Sequence, residues 1–162
     1  MLAIVVCGAL AIAGCGDDDS TTEQGSTTGA AASPQSDLTD TKTKPKIEIP
    51  EDPPPANLVE EDVVKGKGAT AKAGDEVRVQ YVGVGYESGE EFDASWGLEP
   101  IAFQLGSGQV IEGWDRGIEG MKVGGRRQLT IPPELAYGEV GSPPTIAPNE
   151  TLVFVVDLIS VK

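Results

Sequence analysis

Between Val110 and Gly125 the chain sets one tryptophan among a dense series of glycines and small apolar residues. Glycine costs roughly 1 kcal/mol in a helix interior, so an isolated helix would not choose this composition. Yet Ile111, Trp114 and Ile118 fall at i, i+3 and i+7, which stacks them on one helical face. The spacing predicts a short helix held by the surface beneath it, with Trp114 directed into something and still accessible through its glycine-rich surroundings. Gly117 or Gly120 would stop the helix, and Gly124-Gly125 would turn into the next strand.

Around this stretch the patterns are short strands. Val77–Val82 has period-two character, Ile101–Leu105 alternates apolar with smaller or polar residues, and Arg126–Ile131 is a third candidate. Thr151–Val161 is long and rich in β-branched residues, which suits a central strand. Turn signals separate them at Glu87-Ser-Gly89, Gly106-Ser-Gly108 and Gly124-Gly125. Several strands and one short helix predict an α+β fold, an antiparallel sheet wrapped around the helix. Pro132 to Glu150 is too irregular for an element and reads as a long functional loop.

The order of residues resembles the FKBP-type peptidyl-prolyl cis-trans isomerases. The matching pieces are Tyr81, Phe92-Asp93, Phe103-Gln-Leu-Gly106, Val110-Ile-x-Gly-Trp114, Gly117-Ile-x-Gly-Met-x-Val-Gly124, Leu129-Thr-Ile-Pro132, Ala136-Tyr-Gly138, Ile146 and Leu152-Val-Phe154. They run in one order with small gaps from about Glu60 to Lys162, and the combination is specific although no single piece is. The resemblance implies an FKBP-like fold over residues 58–162, cis-trans isomerisation of X-Pro bonds, no cofactor and no metal. It implies proline-containing polypeptide segments as partners and macrolides of the rapamycin type as ligands. By position it makes Trp114 the indole floor under the proline ring. Tyr81, Phe92, Ile101, Val110 and Phe154 become walls. The Ile111 amide and the Tyr137 hydroxyl become donors to ligand carbonyls, Asp93 the carboxylate at the edge, and Ile146 an apolar loop residue closing over the ligand. Phe103, Leu105, Leu129 and Val155 read better as core. The chain departs from the family pattern in three places. Ile101 gives a smaller wall where an aromatic is common. Ala94-Ser-Trp-Gly-Leu-Glu-Pro100 replaces basic residues, which removes an ion-pair partner for Asp93 and adds the bulk of Trp96 near the pocket. Ser142-Pro143-Pro144 stands where the loop often carries a polar residue.

The chain ahead of the domain reads differently. Residues 1–14 hold an uncharged apolar run too short to span a bilayer, which fits the core of an export signal. The run lacks the basic residue that usually precedes it. Ile12-Ala-Gly-Cys15 resembles the lipobox of bacterial lipoproteins, so Cys15 is the expected lipidation site and the expected location is extracytoplasmic, lipid-anchored to the membrane. Residues 15–57 then form an acidic linker. Its first part is Ser, Thr, Gly and Asp, and Lys44–Pro55 is Pro-rich and extended. A flexible chain of about 40 residues reaches roughly 35 Å, so a spacer is the simplest purpose. Cys7 and Cys15 are the two cysteines, leaving the domain without a thiol or disulfide.

The chain carries 12 basic and 26 acidic residues, a net charge of −14, with the excess on both sides of residue 59. That excludes a nucleic-acid binder, which needs a basic footprint. There is no His, so His-based triads and common zinc sites are excluded. Glu112, Asp115 and Glu119 read as a solvated helix face. No symmetric interface is legible, so a monomer is expected. What remains is an apolar, aromatic set with a few hydroxyls and one carboxylate. Prolyl isomerisation breaks no bond and needs little more. A non-catalytic peptide-binding or chaperone module would use the same pocket and stays open at this level.

Overall fold

The computed structural model describes residues 38–162, all within one compact unit. The apolar run of residues 1–14 and Cys15 lie outside the described residues. Six strands and one helix follow in the order β1 (Val59–Val64), β2 (Glu76–Gly85), β3 (Glu91–Ala94), β4 (Ile101–Gln104), α1 (Glu112–Ile118), β5 (Arg126–Ile131) and β6 (Leu152–Val161). All pairings are antiparallel. The sheet order is β1-β5-β6-β2-β3, and β4 also pairs with β2. The first half of β2 takes β4 and the second half takes β3, so the chain from Glu91 to Gln104 doubles along one edge. This is the expected α+β architecture.

β1 was not visible as a period-two apolar pattern because it is an edge strand with charged residues, which suits an edge. Its Glu60 and Asp62 face Arg127, at 3.2 and 2.6 Å. Arg127 also donates to the carbonyls of Gly117 and Glu119 at the helix end, at 2.8 and 3.3 Å, and so ties α1 to the sheet edge.

Strand alternation sorts side chains onto two faces. The inner face carries Val77, Val79, Leu129, Ile131, Leu152 and Val156, all buried with Trp114 and Ile118 of the helix. Gly113 and Gly117 explain the helix composition. A Cβ on Gly113 would collide with Ile131, and one on Gly117 with Leu129. These glycines let the helix lie directly on β5, and that burial offsets their poor propensity. The helix ends at Ile118, one residue after Gly117. Gly120, at φ +80°, supplies the left-handed residue just past the end.

The outer face is also covered, and here the structure differs from the linker reading. Residues 38–57 contain no helix or strand, yet Leu38 and Pro45 are buried and Ile47 and Ile49 pack on Val82, Val84, Tyr86 and Val153. Trp96 belongs to this outer cluster too. It does not extend the pocket, because it emerges on the opposite side of the sheet.

Candidate functional site

A cavity of about 210 Å³ opens on the inner face of the sheet. β2 gives it Tyr81, β3 gives Phe92 and Asp93, β4 gives Ile101, and β6 gives Phe154. The turn before the helix adds Gln109, Val110 and Ile111, the helix adds Trp114, and the long loop adds Tyr137. Nine of the ten expected site residues are therefore lining residues of one cavity. The tenth, Ile146, is placed elsewhere. It is 5 % exposed within the main core cluster and held by the Ser142–Ile146 bridge.

Aromatic edges build the floor. Trp114 is 4 % exposed, more covered than its glycine neighbours suggested, because those glycines admit the sheet and not solvent. Its ring meets Tyr81 edge-on at 4.9 Å and Phe154 at 5.2 Å between centroids. Phe92 meets Phe154 edge-on at 5.5 Å. This geometry aligns ring edges with ring faces and fixes the rings against one another. Gly83 makes it possible, since a Cβ there would reach 2.7 Å from Phe154 and 2.8 Å from Phe92. Sequence spacing gave no hint of Gly83, but a glycine inside a strand is a signal of close approach.

Polar groups sit on the rim. The Tyr81 hydroxyl donates to Asp93 Oδ2 at 2.6 Å, so Tyr81 orients the carboxylate that the missing basic residues leave unpaired. Burial, then the hydrogen bond from Tyr81 to Asp93 and the charge of Asp93, push the Tyr81 hydroxyl well above its ordinary pKa. The phenol is therefore a fixed proton donor at neutral pH. Ser95 clamps the Tyr81 backbone from both sides: Tyr81 N–H donates to Ser95 Oγ at 2.9 Å, and Ser95 N–H donates to Tyr81 O at 3.0 Å. Tyr137 is 42 % exposed. Among the described residues no hydrogen-bond partner is seen for the Tyr137 hydroxyl, for Ile111 N–H or for the buried Trp114 Nε1. The Ile111 carbonyl, by contrast, accepts from Trp114 N–H at 2.9 Å and starts the helix.

Asp115 has more than the solvated role expected of it. Its carboxylate accepts from Gly106 N–H at 2.8 Å and Gly108 N–H at 3.0 Å. It thereby holds the turn that delivers Gln109, Val110 and Ile111 to the cavity. Glu112 does face solvent and pairs with Arg116 one turn on. Gln109 is a lining residue that sequence reasoning missed, because an exposed amide carries no pattern. No cluster of His, Cys, Asp and Glu able to hold a metal occurs among the described residues.

The site thus combines an aromatic floor with a polar rim. Residues 67–159 match the sequence model of the FKBP-type peptidyl-prolyl cis-trans isomerases. The chain belongs to this family. An FK506-binding protein of Streptomyces anulatus is 56 % identical over 120 residues, covering 73 % of this chain and 97 % of that one. That stretch is longer than Ala56–Lys162, so the similarity reaches into the segment on the outer face. The peptidyl-prolyl cis-trans isomerase FPR2 of Saccharomyces cerevisiae is 54 % identical over 93 residues, 57 % of this chain and 69 % of that one. The crystal structure of AtFKBP13 superposes with a TM-score of 0.61 at 38 % identity, over 67 % of this chain and 96 % of that one. The FKBP fold and the peptidyl-prolyl isomerase activity follow for this chain.

Proposed function

We propose that this isomerase works by desolvating the X-Pro amide and that it does so outside the cytoplasm, on exported polypeptides, tethered through lipid on Cys15. The barrier to rotation is about 18–20 kcal/mol because twisting destroys amide resonance. The twisted carbonyl is also less polar than the planar one. A water-poor cavity therefore favours the twisted form, which is differential binding of the transition state without acid or base. The observation that carries this reading is the pairing of an apolar floor with unpartnered donors at its rim. Trp114 receives the proline ring, with Phe154 and Phe92 as walls. Ile111 N–H and Tyr137 O–H hold the carbonyls of the flanking chain. Asp93, oriented by Tyr81, closes the edge. A contribution of about 5–6 kcal/mol, or roughly 10⁴-fold in rate, is within reach of desolvation and two oriented donors.

FK506 binding is proposed by extension from the relatives' names, with rapamycin-type macrolides in the same cavity. Ile101 offers them less wall than an aromatic would. The anchor rests on Ile12-Ala-Gly-Cys15 and on the apolar run before it. Residues 1–14 are then the removed signal, and the isomerase acts as a monomer beside the membrane. Expressed in a bacterial host with an intact export signal, the protein should partition into detergent, and Cys15→Ser should abolish this. Mass spectrometry finding unmodified Cys15 in membranes would refute the anchor and leave the isomerase reading intact.

A further inference from the structure

The outer face of the sheet carries a built seat for the chain that precedes β1. Arg126 is wholly buried, and its guanidinium has five N–H groups to satisfy. Nε and Nη2 donate to the two oxygens of Asp157 at 2.6 and 2.7 Å. The remaining donors reach backbone carbonyls of the preceding chain: Leu38 at 2.9 Å, Asp40 at 3.0 Å and Thr43 at 3.1 Å. Trp96 lies against the guanidinium, its ring centroid 5.8 Å away. Three carbonyls from one short stretch thus converge on one rigid fork, which selects the path of the backbone.

The seat continues beyond Arg126. Pro45, Ile47 and Ile49 turn toward the sheet while Lys44, Lys46 and Glu48 face solvent. Lys44 pairs with Glu91 at 2.7 Å, and the Tyr86 hydroxyl donates to Asp52 O at 3.1 Å. A solvated spacer would need neither a buried guanidinium nor an inward-facing apolar row. Unseating the segment would strand three charged donors and uncover Val82, Val84, Tyr86 and Val153, both of which oppose release. Val82 and Val153 are chain neighbours of Tyr81 and Phe154, so the seat lies directly behind the proline cavity.

We propose that residues 38–52 are a latch, seated by Arg126, that fixes where the N-terminal chain joins the domain: on the back of the sheet, with the cavity mouth left clear on the other side. The last seated point of the preceding chain is then Leu38, on the side of the sheet away from the cavity mouth.

Trypsin on the full-length chain tests this. Lys42 and Lys46 lie inside the latch and are exposed, whereas Lys44 precedes Pro45 and resists trypsin. Arg126→Lys keeps a cation beside Asp157 but loses the fork. The double change Ile47→Ser, Ile49→Ser breaks the apolar half without altering a sheet residue and without placing an acidic residue beside the Lys46 cleavage site. Cleavage after Lys42 and Lys46 in the unaltered chain should be at least about tenfold slower than in a synthetic 38–55 peptide, because proteolysis tracks the open population. It should approach the peptide's rate in both variants, while the Ile47/Ile49 variant keeps turnover of a short X-Pro peptide within about twofold. If Arg126→Lys fails to fold, the Ile47/Ile49 variant decides alone. Cleavage of the unaltered chain at the peptide's rate, or equal protection in the Ile47/Ile49 variant, overturns the latch. A protected latch on a chain that does not turn over the peptide would refute catalysis and leave the latch standing.

Discussion

Gly83→Ala separates the shape of the cavity from the mere presence of its aromatic residues. The new Cβ would lie 2.7 Å from Phe154 Cε1 and 2.8 Å from Phe92 Cζ. Carbon–carbon contact is comfortable from about 3.5 Å, so the rings must retreat by roughly 0.7–0.8 Å. Phe154 is already braced by Trp114 at 5.2 Å and Phe92 by Phe154 at 5.5 Å. The space open to them is the cavity of about 210 Å³. Overpacking costs about 1–3 kcal/mol where nothing yields, and the open cavity should hold the cost to about 1–2 kcal/mol. For a domain of this size that is roughly 3–10 °C in Tm. The displaced rings narrow the cavity proposed to take the proline, so kcat/KM should fall at least about tenfold, equivalent to about 1.4 kcal/mol. Thermal melting by circular dichroism and exchange NMR on an X-Pro peptide give both numbers. A variant that loses stability yet keeps kcat/KM within about twofold refutes the shape argument.

Two further substitutions probe the rim and its supports. The unfolded chain releases the Tyr81 proton near its ordinary value of 10.0 while the folded chain retains it, so the stability tied to this group is present below pH 10 and lost as pH rises above it. The urea midpoint should therefore fall more steeply above pH 10 for the unaltered protein than for Tyr81→Phe, and parallel curves would contradict the assignment. Asp115→Ala removes the acceptor for Gly106 and Gly108, which should cost about 1–2 kcal/mol in urea unfolding given its partial exposure. KM should rise more than kcat falls, because the turn carries Gln109, Val110 and Ile111, and an unchanged KM would assign Asp115 to stability alone.

β2, β4, β5, β6 and the helix were legible because their residues repeat with the right period, whereas the charged edge strand β1 and the four-residue β3 were not. Arg126–Ile131 is a strand over the whole expected range, and Ile111, Trp114 and Ile118 do share one side. β6 carried a second message. Leu152-Val-Phe-Val-Val156 does not alternate, which a half-solvated strand would, and it is buried on both faces. The cover for its outer face was in the sequence as Pro45-x-Ile47-x-Ile49, hidden inside a polar, Pro-rich stretch whose composition argued for a spacer. Composition averages over a segment, whereas docking needs only every second residue. Trp96 was misplaced for a related reason. Nearness in sequence to Phe92-Asp93 says nothing about which face of the sheet a turn residue takes. Ile146 was assigned by position in a motif, and its burial in the main core depends on packing that no local pattern encodes. Asp115 looked solvated because helical spacing ignores the turn folded back against it.

The claim that matters most is that the cavity accelerates rotation by excluding water around the X-Pro amide. Exchange NMR on a short peptide with an apolar residue before proline measures this, using the full-length protein, Tyr137→Phe and Trp114→Ala in parallel. The unaltered protein should speed cis-trans exchange at a rate nearly flat from about pH 6 to 8, because the proposed mechanism transfers no proton. Tyr137→Phe should cost roughly 1–2 kcal/mol of transition-state stabilisation, and Trp114→Ala should cost more because it opens the floor to water. A protein that binds the peptide but leaves exchange at its uncatalysed rate, or a Trp114→Ala variant as fast as the unaltered one, would contradict the account.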